Sequence, residues 1–240
     1  MEEEVTRAAL TRELRAAGTP ERAAGAARYF KTGPGEYGEG DLFLGVTVPA
    51  LRKVVRRYET LQLAQVEKLL HAREHELRQA ALLILVAQYA KGDPKGQREI
   101  LRVYLANTSF INNWDLVDCS CREIVGAHVR ANSRSLLTKL ARSKNLWERR
   151  IAMISTMPLV RDGEFSDALR IAEMLLDDRH DLIHKAVGWV LRELGDKDKA
   201  ALVSFLQQHY KRVPRTALRY AIEHFPAEER KRALRAEFPA

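Results

Sequence analysis

The sequence predicts an all-α fold in which helical repeats stack into a solenoid. Apolar residues recur at helical spacing over most of the chain, whereas alternating strand patterns are nearly absent. One helical unit also recurs every 31 to 37 residues. A repeat of that length accommodates a helical hairpin, and stacked hairpins share a continuous core and form a concave face.

Local signals mark where individual helices begin and end. Thr19-Pro20-Glu21 predicts a helix start, because a capping residue precedes proline at the first helical position. Gly92-Asp93-Pro94 predicts the end of one helix and the start of the next, and Gly195 is a predicted C-cap. The single strand candidate, residues 45–48, is weak because Pro49 interrupts it.

The repeat is visible when each major helix is aligned on one apolar anchor residue. The anchors are separated by 37, 34, 35 and 31 residues, and they are Ala80, Val117, Ile151, Ala186 and Ala217. Basic residues precede most of them, namely Arg78, Arg149, Arg150, Lys185 and Arg215. We expect these basic side chains to line the concave face and to bind a polyanion.

Composition indicates a folded, basic protein with a heavily charged surface. The 240 residues carry a net charge of +8, which favours a polyanionic partner such as nucleic acid, or an anionic membrane surface, although such a charge also serves solubility alone. No apolar run is long enough to span a membrane, and the acidic start Met1–Glu4 is unlike a secretory signal. Cys119 and Cys121 suit neither a disulfide nor a zinc site, so a reducing, cytoplasmic setting is expected. Without an internal linker, residues 1–240 are predicted to form a single domain.

Two motif matches have simpler explanations than a binding site. Gly33-x-Gly35-x-x-Gly38 has the spacing of a dinucleotide fingerprint, but it lacks the preceding strand that such a site requires. His71/His75 and His180/His184 are pairs four residues apart, as helical metal ligands can be. Neither pair belongs to a His-Glu-x-x-His motif, so solvated helical histidines are the simpler interpretation and no metal site is predicted.

The segment Asn113–Asp118 places a tryptophan and a carboxylate four residues apart. Trp114 and Asp118 would therefore share one helical face. The simpler interpretation is a core tryptophan beside an N-capping Asp115. In the alternative, Trp114 joins Trp147 and Trp189, at repeat spacing, in an aromatic and cationic surface for nucleic acid.

Several segments, in the same order, resemble one protein family over about residues 21–225. Asn113-Trp114-Asp115-Leu116-Val117-Asp118 resembles its W-D-x-V-D catalytic helix, and residues 145–150 resemble its N-x-W-x-x-R segment. Residues 185–193 (K-A-V-G-W-V-L-R-E) are similar to its K-A-I-G-W-V-L-R-E segment, and residues 27–31 and 43–46 to its N-terminal region. The family is the AlkD-like DNA alkylation repair family of HEAT-like-repeat DNA glycosylases.

This resemblance assigns roles to four residues. Trp114 and Trp189 match the family's two catalytic tryptophans, Asp118 its catalytic carboxylate and Arg150 its active-site arginine. Asp181-Leu182 stands where some members carry two aromatic residues, which leaves the preferred lesion open.

The function implied by the resemblance is base excision repair. A DNA glycosylase of this kind removes cationic N3- or N7-alkylated purines from duplex DNA, as a monomer without metal or cofactor, and without a base-flipping pocket. Two alternatives stay open: a catalytically silent HEAT-like module that binds unusual DNA structures, and a protein-binding solenoid.

Overall fold

The all-α prediction is confirmed. The computed structural model describes residues 5–238, and within that range β character is confined to one isolated bridge between Leu42 and Glu74. None of the described helices is long and apolar enough to cross a membrane. The described chain divides into two compact units that meet in sequence between Ile124 and Val125.

The first unit contains seven α-helices, one 3₁₀ turn and the beginning of a π-helical segment. The α-helices are α1 (Arg7–Ala17), α2 (Pro20–Tyr29), α3 (Val48–Val55), α4 (Leu63–Leu70), α5 (His75–Lys91), α6 (Pro94–Ala106) and α7 (Trp114–Asp118). The 3₁₀ turn is Thr108–Phe110, and the π-helical segment is Arg122–Gly126. Helix α5 is the centre of this unit, because residues 75–85 are all buried and α3, α4 and α6 pack around it.

The second unit repeats this arrangement around a second long helix. Its helices are α8 (Ala127–Ala131), α9 (Ser135–Ala141), α10 (Leu146–Ile154), α11 (Met157–Arg161), α12 (Ser166–Leu175), α13 (Asp181–Lys197), α14 (Lys199–His209), α15 (Arg215–Ala221) and α16 (Ala227–Ala233). Helix α13 packs against α10, α11, α12, α14 and α15. Its buried branched residues are Ile183, Val187, Val190, Leu191 and Leu194.

The repeat found in the sequence coincides with buried helix positions. All five anchor residues lie in helices (α5, α7, α10, α13 and α15) and are fully buried. The anchors are therefore core contacts, as a helical repeat requires. The concave basic face and the single-domain organisation stay predictions.

Most of the helix boundary signals are confirmed, and one is wrong. The Thr19 hydroxyl accepts a hydrogen bond from the Arg22 amide, and the Asp93 carboxylate accepts one from the Gly96 amide, so both predicted N-caps are present. Gly195 does not end a helix, because α13 continues to Lys197. A β-carbon at position 195 would lie 2.4 Å from Leu202 Cδ2, so this glycine permits close packing of α14.

The weak strand candidate at residues 45–48 is not a strand. Gly45 has a left-handed backbone (φ 77°), and α3 begins at Val48 with Pro49 in its first turn. The segment is a loop held by the Glu76 side chain of α5, which accepts hydrogen bonds from the amides of residues 44–46.

Candidate functional site

Helix α7 presents Trp114 and Asp118 on one side of a short, well-capped turn. The Asn113 side chain caps it by accepting a hydrogen bond from the Trp114 amide at 2.8 Å. Leu116 and Val117 are fully buried, whereas both Trp114 and Asp118 are partly exposed. The predicted pairing of a tryptophan and a carboxylate on one helical face is thus present in the structure.

The simpler interpretation of this segment is wrong in both parts. The N-cap of α7 is Asn113, and Asp115 instead reaches a histidine of α5, as described below. Trp114 is not a fully buried core residue either.

The indole of Trp114 is fixed by the aromatic residues that end α2 and by the loop after it. Its Nε1–H donates to the Tyr37 hydroxyl at 3.3 Å. The Phe30 ring centroid lies 5.4 Å from the indole, and that of Tyr29 lies 6.0 Å away, edge-on. Tyr29 is 66% exposed, so the cluster opens to solvent on the Tyr29 side.

The glycine-rich loop of residues 32–41 follows helix α2 and not a strand, which agrees with its rejection as a dinucleotide site. Two of its amides are occupied by its own carboxylates. The Gly33 amide donates to Glu36 and the Gly35 amide to Glu39, each at 2.9 Å. The loop is therefore stabilised internally and supports Trp114 through Tyr37.

Arg150 and Trp189 belong to the second unit. Arg150 of α10 is 5% exposed, and its Nη1 donates to the Leu182 carbonyl at 2.6 Å, in the first turn of α13. Trp189 of α13 is partly exposed, and its Nε1–H donates to Glu193 at 3.1 Å. Trp147, the third tryptophan at repeat spacing, is buried, so it is unsuited to the predicted aromatic surface.

Two of the basic residues predicted to bind DNA have their guanidinium groups engaged within the fold. Arg78 is 4% exposed and donates to the carbonyls of Ala72 and Arg73, both at 3.0 Å, and to Asp41 at 2.7 Å. Arg149 donates in the same way to the carbonyls of Ser143 and Lys144 and to Asp178.

These two arginines occupy the same position of the repeat, two residues before the anchor. In both, the side chain reaches the carbonyls five and six residues earlier, in the turn that precedes the helix. His184, at this position in its repeat, is 2.5 Å from the Asp178 carbonyl, again six residues earlier. A side chain at this position satisfies carbonyls that a turn would otherwise leave unpaired.

Lys185 and Arg215 are more accessible to a ligand than Arg78 and Arg149. Lys185 is partly exposed and lies 2.9 Å from Asp181, one helical turn earlier. The hydrogen bond from Lys185 is the main cause that lowers the pKa of Asp181. Arg215 is exposed, and its Nη1 donates to the Leu234 carbonyl and the Tyr210 hydroxyl.

A basic cavity in the second unit was missed by the sequence reasoning. It has a volume of about 630 Å³ and is lined by Arg192, Arg219, Tyr220, Ile222, Glu223, Arg230 and Leu234. The lining contains three arginines and one glutamate, and Arg192 and Glu223 form an ion pair. The sequence contains a hint of this cavity, because Arg192 follows Trp189 by three residues and so lies near it on α13.

Within residues 5–238, no group of three or more His, Cys, Asp or Glu side chains is placed to hold a metal ion. His71 follows the last residue of α4, whereas His75 is the first residue of α5. His75 is buried, so its interpretation as a solvated histidine is wrong. Burial of the sulfur raises the pKa of the Cys119 thiol well above its usual range, which favours the protonated thiol at neutral pH.

Comparison with known proteins gives a family match over most of the chain. The family model for DNA alkylation repair enzymes matches residues 10–225. The chain therefore belongs to the DNA alkylation repair enzyme family.

Solved structures also match, among them a predicted DNA alkylation repair enzyme from Enterococcus faecalis. It superposes with a TM-score of 0.70 over 88% of this chain and 97% of that chain, at 18% sequence identity. At this identity the likeness is one of fold. No curated protein matches the sequence significantly.

Proposed function

We propose that this protein is a monofunctional DNA glycosylase that removes cationic N3- and N7-alkylated purines from duplex DNA in base excision repair. Membership of the family supports a role in alkylation repair. The observation that carries the finer proposal is helix α7, which presents a carboxylate and a fixed indole together at the surface. DNA binding alone needs no carboxylate turned toward a polyanion.

The proposed reaction is hydrolysis of the bond between C1′ of deoxyribose and a ring nitrogen of the base. An alkylated base is already cationic, so it leaves as a neutral molecule with the bonding electron pair and needs no general acid. Positive charge then develops on the sugar, as in glycoside hydrolysis. Asp118 opposes this charge and orients the water that attacks C1′, and the proton that this water loses passes to solvent.

The tryptophans are proposed to flank the deoxyribose. An indole face attracts a cation by about 0.5–2 kcal/mol, more when the contact excludes water. Trp114 is suited to this because the Tyr37 hydrogen bond and the Phe30 contact define its orientation before substrate binds. We assign the second face to Trp189.

DNA binding is proposed to involve Lys185, Arg215 and the basic cavity around Arg219 and Arg230. Arg150 is proposed as a further phosphate ligand on the family resemblance alone, because its guanidinium is 5% exposed and donates to the Leu182 carbonyl. Arg78 and Arg149 are assigned to the fold, because their guanidinium groups already satisfy turn carbonyls and an aspartate. Each phosphate contact releases condensed counterions, so affinity should fall steeply with salt. Recognition would depend on the DNA backbone and the charge of the lesion, without a pocket for an extruded base.

The direct test is incubation of the protein with methylated duplex DNA, followed by chromatography for free 3-methyladenine and 7-methylguanine. Release of both bases, with an abasic site left in an uncut strand, supports the proposal. DNA binding without base release would favour the silent DNA-binding module, and negligible affinity for duplex DNA at low salt would favour a protein-binding solenoid. The monomeric state and the cytoplasmic location stay predictions.

A further inference from the structure

His75 is a buried histidine placed between two carboxylates. It is the first residue of α5 and is 2% exposed. Its Nε2 lies 2.8 Å from Asp115 Oδ2 of α7, and its Nδ1 lies 3.3 Å from Asp41 Oδ2 in the loop after α2. Both ring nitrogens are therefore directed at aspartates that are far away in sequence.

The two aspartates connect His75 to the helix that carries Trp114 and Asp118. Asp115 lies inside α7, and its Oδ1 is buried without a hydrogen-bond partner among the described residues. The Asp115 carboxylate therefore receives its hydrogen bonds at Oδ2, from His75 and from Gln79 Nε2 at 3.3 Å. Asp41 additionally lies 3.5 Å from the side-chain nitrogen of Asn113, the cap of α7.

Aromatic contacts connect the same imidazole to the indole of Trp114. The His75 ring stacks on Phe43, with centroids 4.6 Å apart, and on Phe30 at 5.1 Å. Phe30 in turn contacts Trp114. The position of the imidazole thus affects both the start of α7 and the packing of its tryptophan.

Only a protonated imidazole can donate to both aspartates at once. The charged groups that face it are Asp41, Asp115 and Arg78, so a cationic His75 gives two positive and two negative charges. Glu76 is directed away, toward the amides of residues 44–46. A neutral imidazole would leave a nitrogen lone pair facing a buried carboxylate, which is costly.

We propose that His75 is a positioning residue, whose doubly hydrogen-bonded imidazolium holds α7 so that Trp114 and Asp118 keep their working orientation. Deprotonation of His75 removes one of these hydrogen bonds and lets the start of α7 shift. The catalytic part of this inference rests on the proposed glycosylase function, but the structural part does not.

The pH dependence has a definite sign. Burial by itself lowers the pKa of His75, but the hydrogen bonds to Asp115 and Asp41 outweigh burial and raise that pKa above its ordinary value. Because the folded-state pKa is raised, the stabilisation is fully present below the ordinary pKa of about 6.5. It is lost as the pH rises through the raised folded-state value.

The first experiment is independent of activity. Protein labelled with ¹⁵N in its tryptophan indoles and ¹³C in its histidine rings is titrated by NMR, with Trp114→Phe to assign the indole signal. We expect the Trp114 indole signal to shift with the same midpoint as the His75 ring. In His75→Gln this pH-dependent shift should disappear, while the Trp147 and Trp189 signals stay in place and report an intact fold.

His71→Gln is the matched control. His71 is an exposed histidine of the same unit, hydrogen-bonded to Asn107 and contacting neither aspartate. This variant should keep the pH response of Trp114. A Trp114 signal that ignores the titration of His75, or that titrates normally in His75→Gln, would overturn the proposal.

Asp115→Asn tests the pair of hydrogen bonds from His75 to Asp115 and Asp41 with His75 still present. Loss of the Asp115 charge should lower the midpoint of both the His75 and the Trp114 titrations together. If His75→Gln fails to fold, this variant decides the matter, because an unchanged midpoint would contradict the proposed contact.

The second experiment measures single-turnover release of 7-methylguanine against pH. Because small misplacements of catalytic groups can cost about 10²-fold, we expect His75→Gln to lower the rate constant by about 10- to 10²-fold with unchanged DNA affinity. The wild-type rate should fall as the pH rises through the folded-state pKa of His75, because deprotonation lets α7 shift. This fall should be absent in His75→Gln and present in His71→Gln. If the wild type releases no base but the Trp114 indole signal still follows the titration of His75, the glycosylase proposal fails. The inference that His75 holds α7 in place then stands. A wild-type rate and pH profile in an active His75→Gln would overturn the positioning role.

Discussion

Replacing Arg78 by alanine tests whether this buried arginine belongs to the fold or to the DNA interface. The substitution removes hydrogen bonds to two turn carbonyls and to Asp41, and it leaves the Asp41 carboxylate buried without its guanidinium partner. Removing one partner of a buried ion pair costs about 3–5 kcal/mol. For a chain of this size that corresponds to a fall in Tm of about 6–20 °C.

The assay is thermal unfolding followed by circular dichroism, combined with DNA binding in the cold, where the variant is folded. Arg102→Ala is the control, because Arg102 is an exposed arginine of the same unit that pairs with Glu99 one turn earlier. The control should unfold close to the wild-type Tm, and both variants should keep the wild-type dependence of DNA affinity on salt. The structural assignment would be refuted by an unchanged Tm in Arg78→Ala together with a weaker dependence of DNA affinity on salt. The salt slope, meaning the change of log affinity with log salt concentration, would then be smaller by the equivalent of about one phosphate contact.

The remaining predictions concern DNA binding and selectivity. Arg150→Ala should weaken binding to all duplex sequences and reduce the salt slope by about one contact, and Arg150→Lys should restore only part because lysine lacks the planar fork. Unchanged salt slopes in both variants would assign Arg150 to support of α13 alone. The double variant Arg219→Ala/Arg230→Ala should reduce the slope by about two contacts without changing the rate at saturating enzyme, and an unchanged slope would remove the cavity from the interface. In one duplex context, single-turnover assays should show release of 7-methylguanine and 3-methyladenine but not of uracil or hypoxanthine. Comparable release of uracil would show that the enzyme activates neutral leaving groups, contrary to the charge-based mechanism.

Helix starts and core positions were readable from the sequence because they depend on local chemistry. Thr19 and Asp93 cap their helices through amides three residues later, and the apolar period identified buried anchors such as Ala80. The C-cap predicted at Gly195 is wrong because a glycine that ends a helix and one that admits a neighbouring helix look alike in sequence. Only the 2.4 Å approach of Leu202 distinguishes them.

The basic residues show where sequence reasoning loses resolution. Arg149 and Arg150 are adjacent and were placed in one DNA-binding set, yet Arg149 is engaged by a turn and Asp178, whereas Arg150 reaches the first turn of α13. The sequence repeat correctly aligns equivalent positions of the helices, but it does not show which carbonyls accept hydrogen bonds from a given side chain. His75 was missed for a similar reason, since its aspartate partners are 34 and 40 residues away.

The most direct test of the proposed function is the single-turnover rate of 7-methylguanine release by Asp118→Asn, with DNA affinity measured in parallel. Asparagine keeps the shape of the side chain but removes the charge that opposes the developing oxocarbenium ion. We predict a fall of about 10²–10³-fold in the rate, with DNA affinity retained. Base release by Asp118→Asn at a rate near that of the wild type would contradict the mechanism.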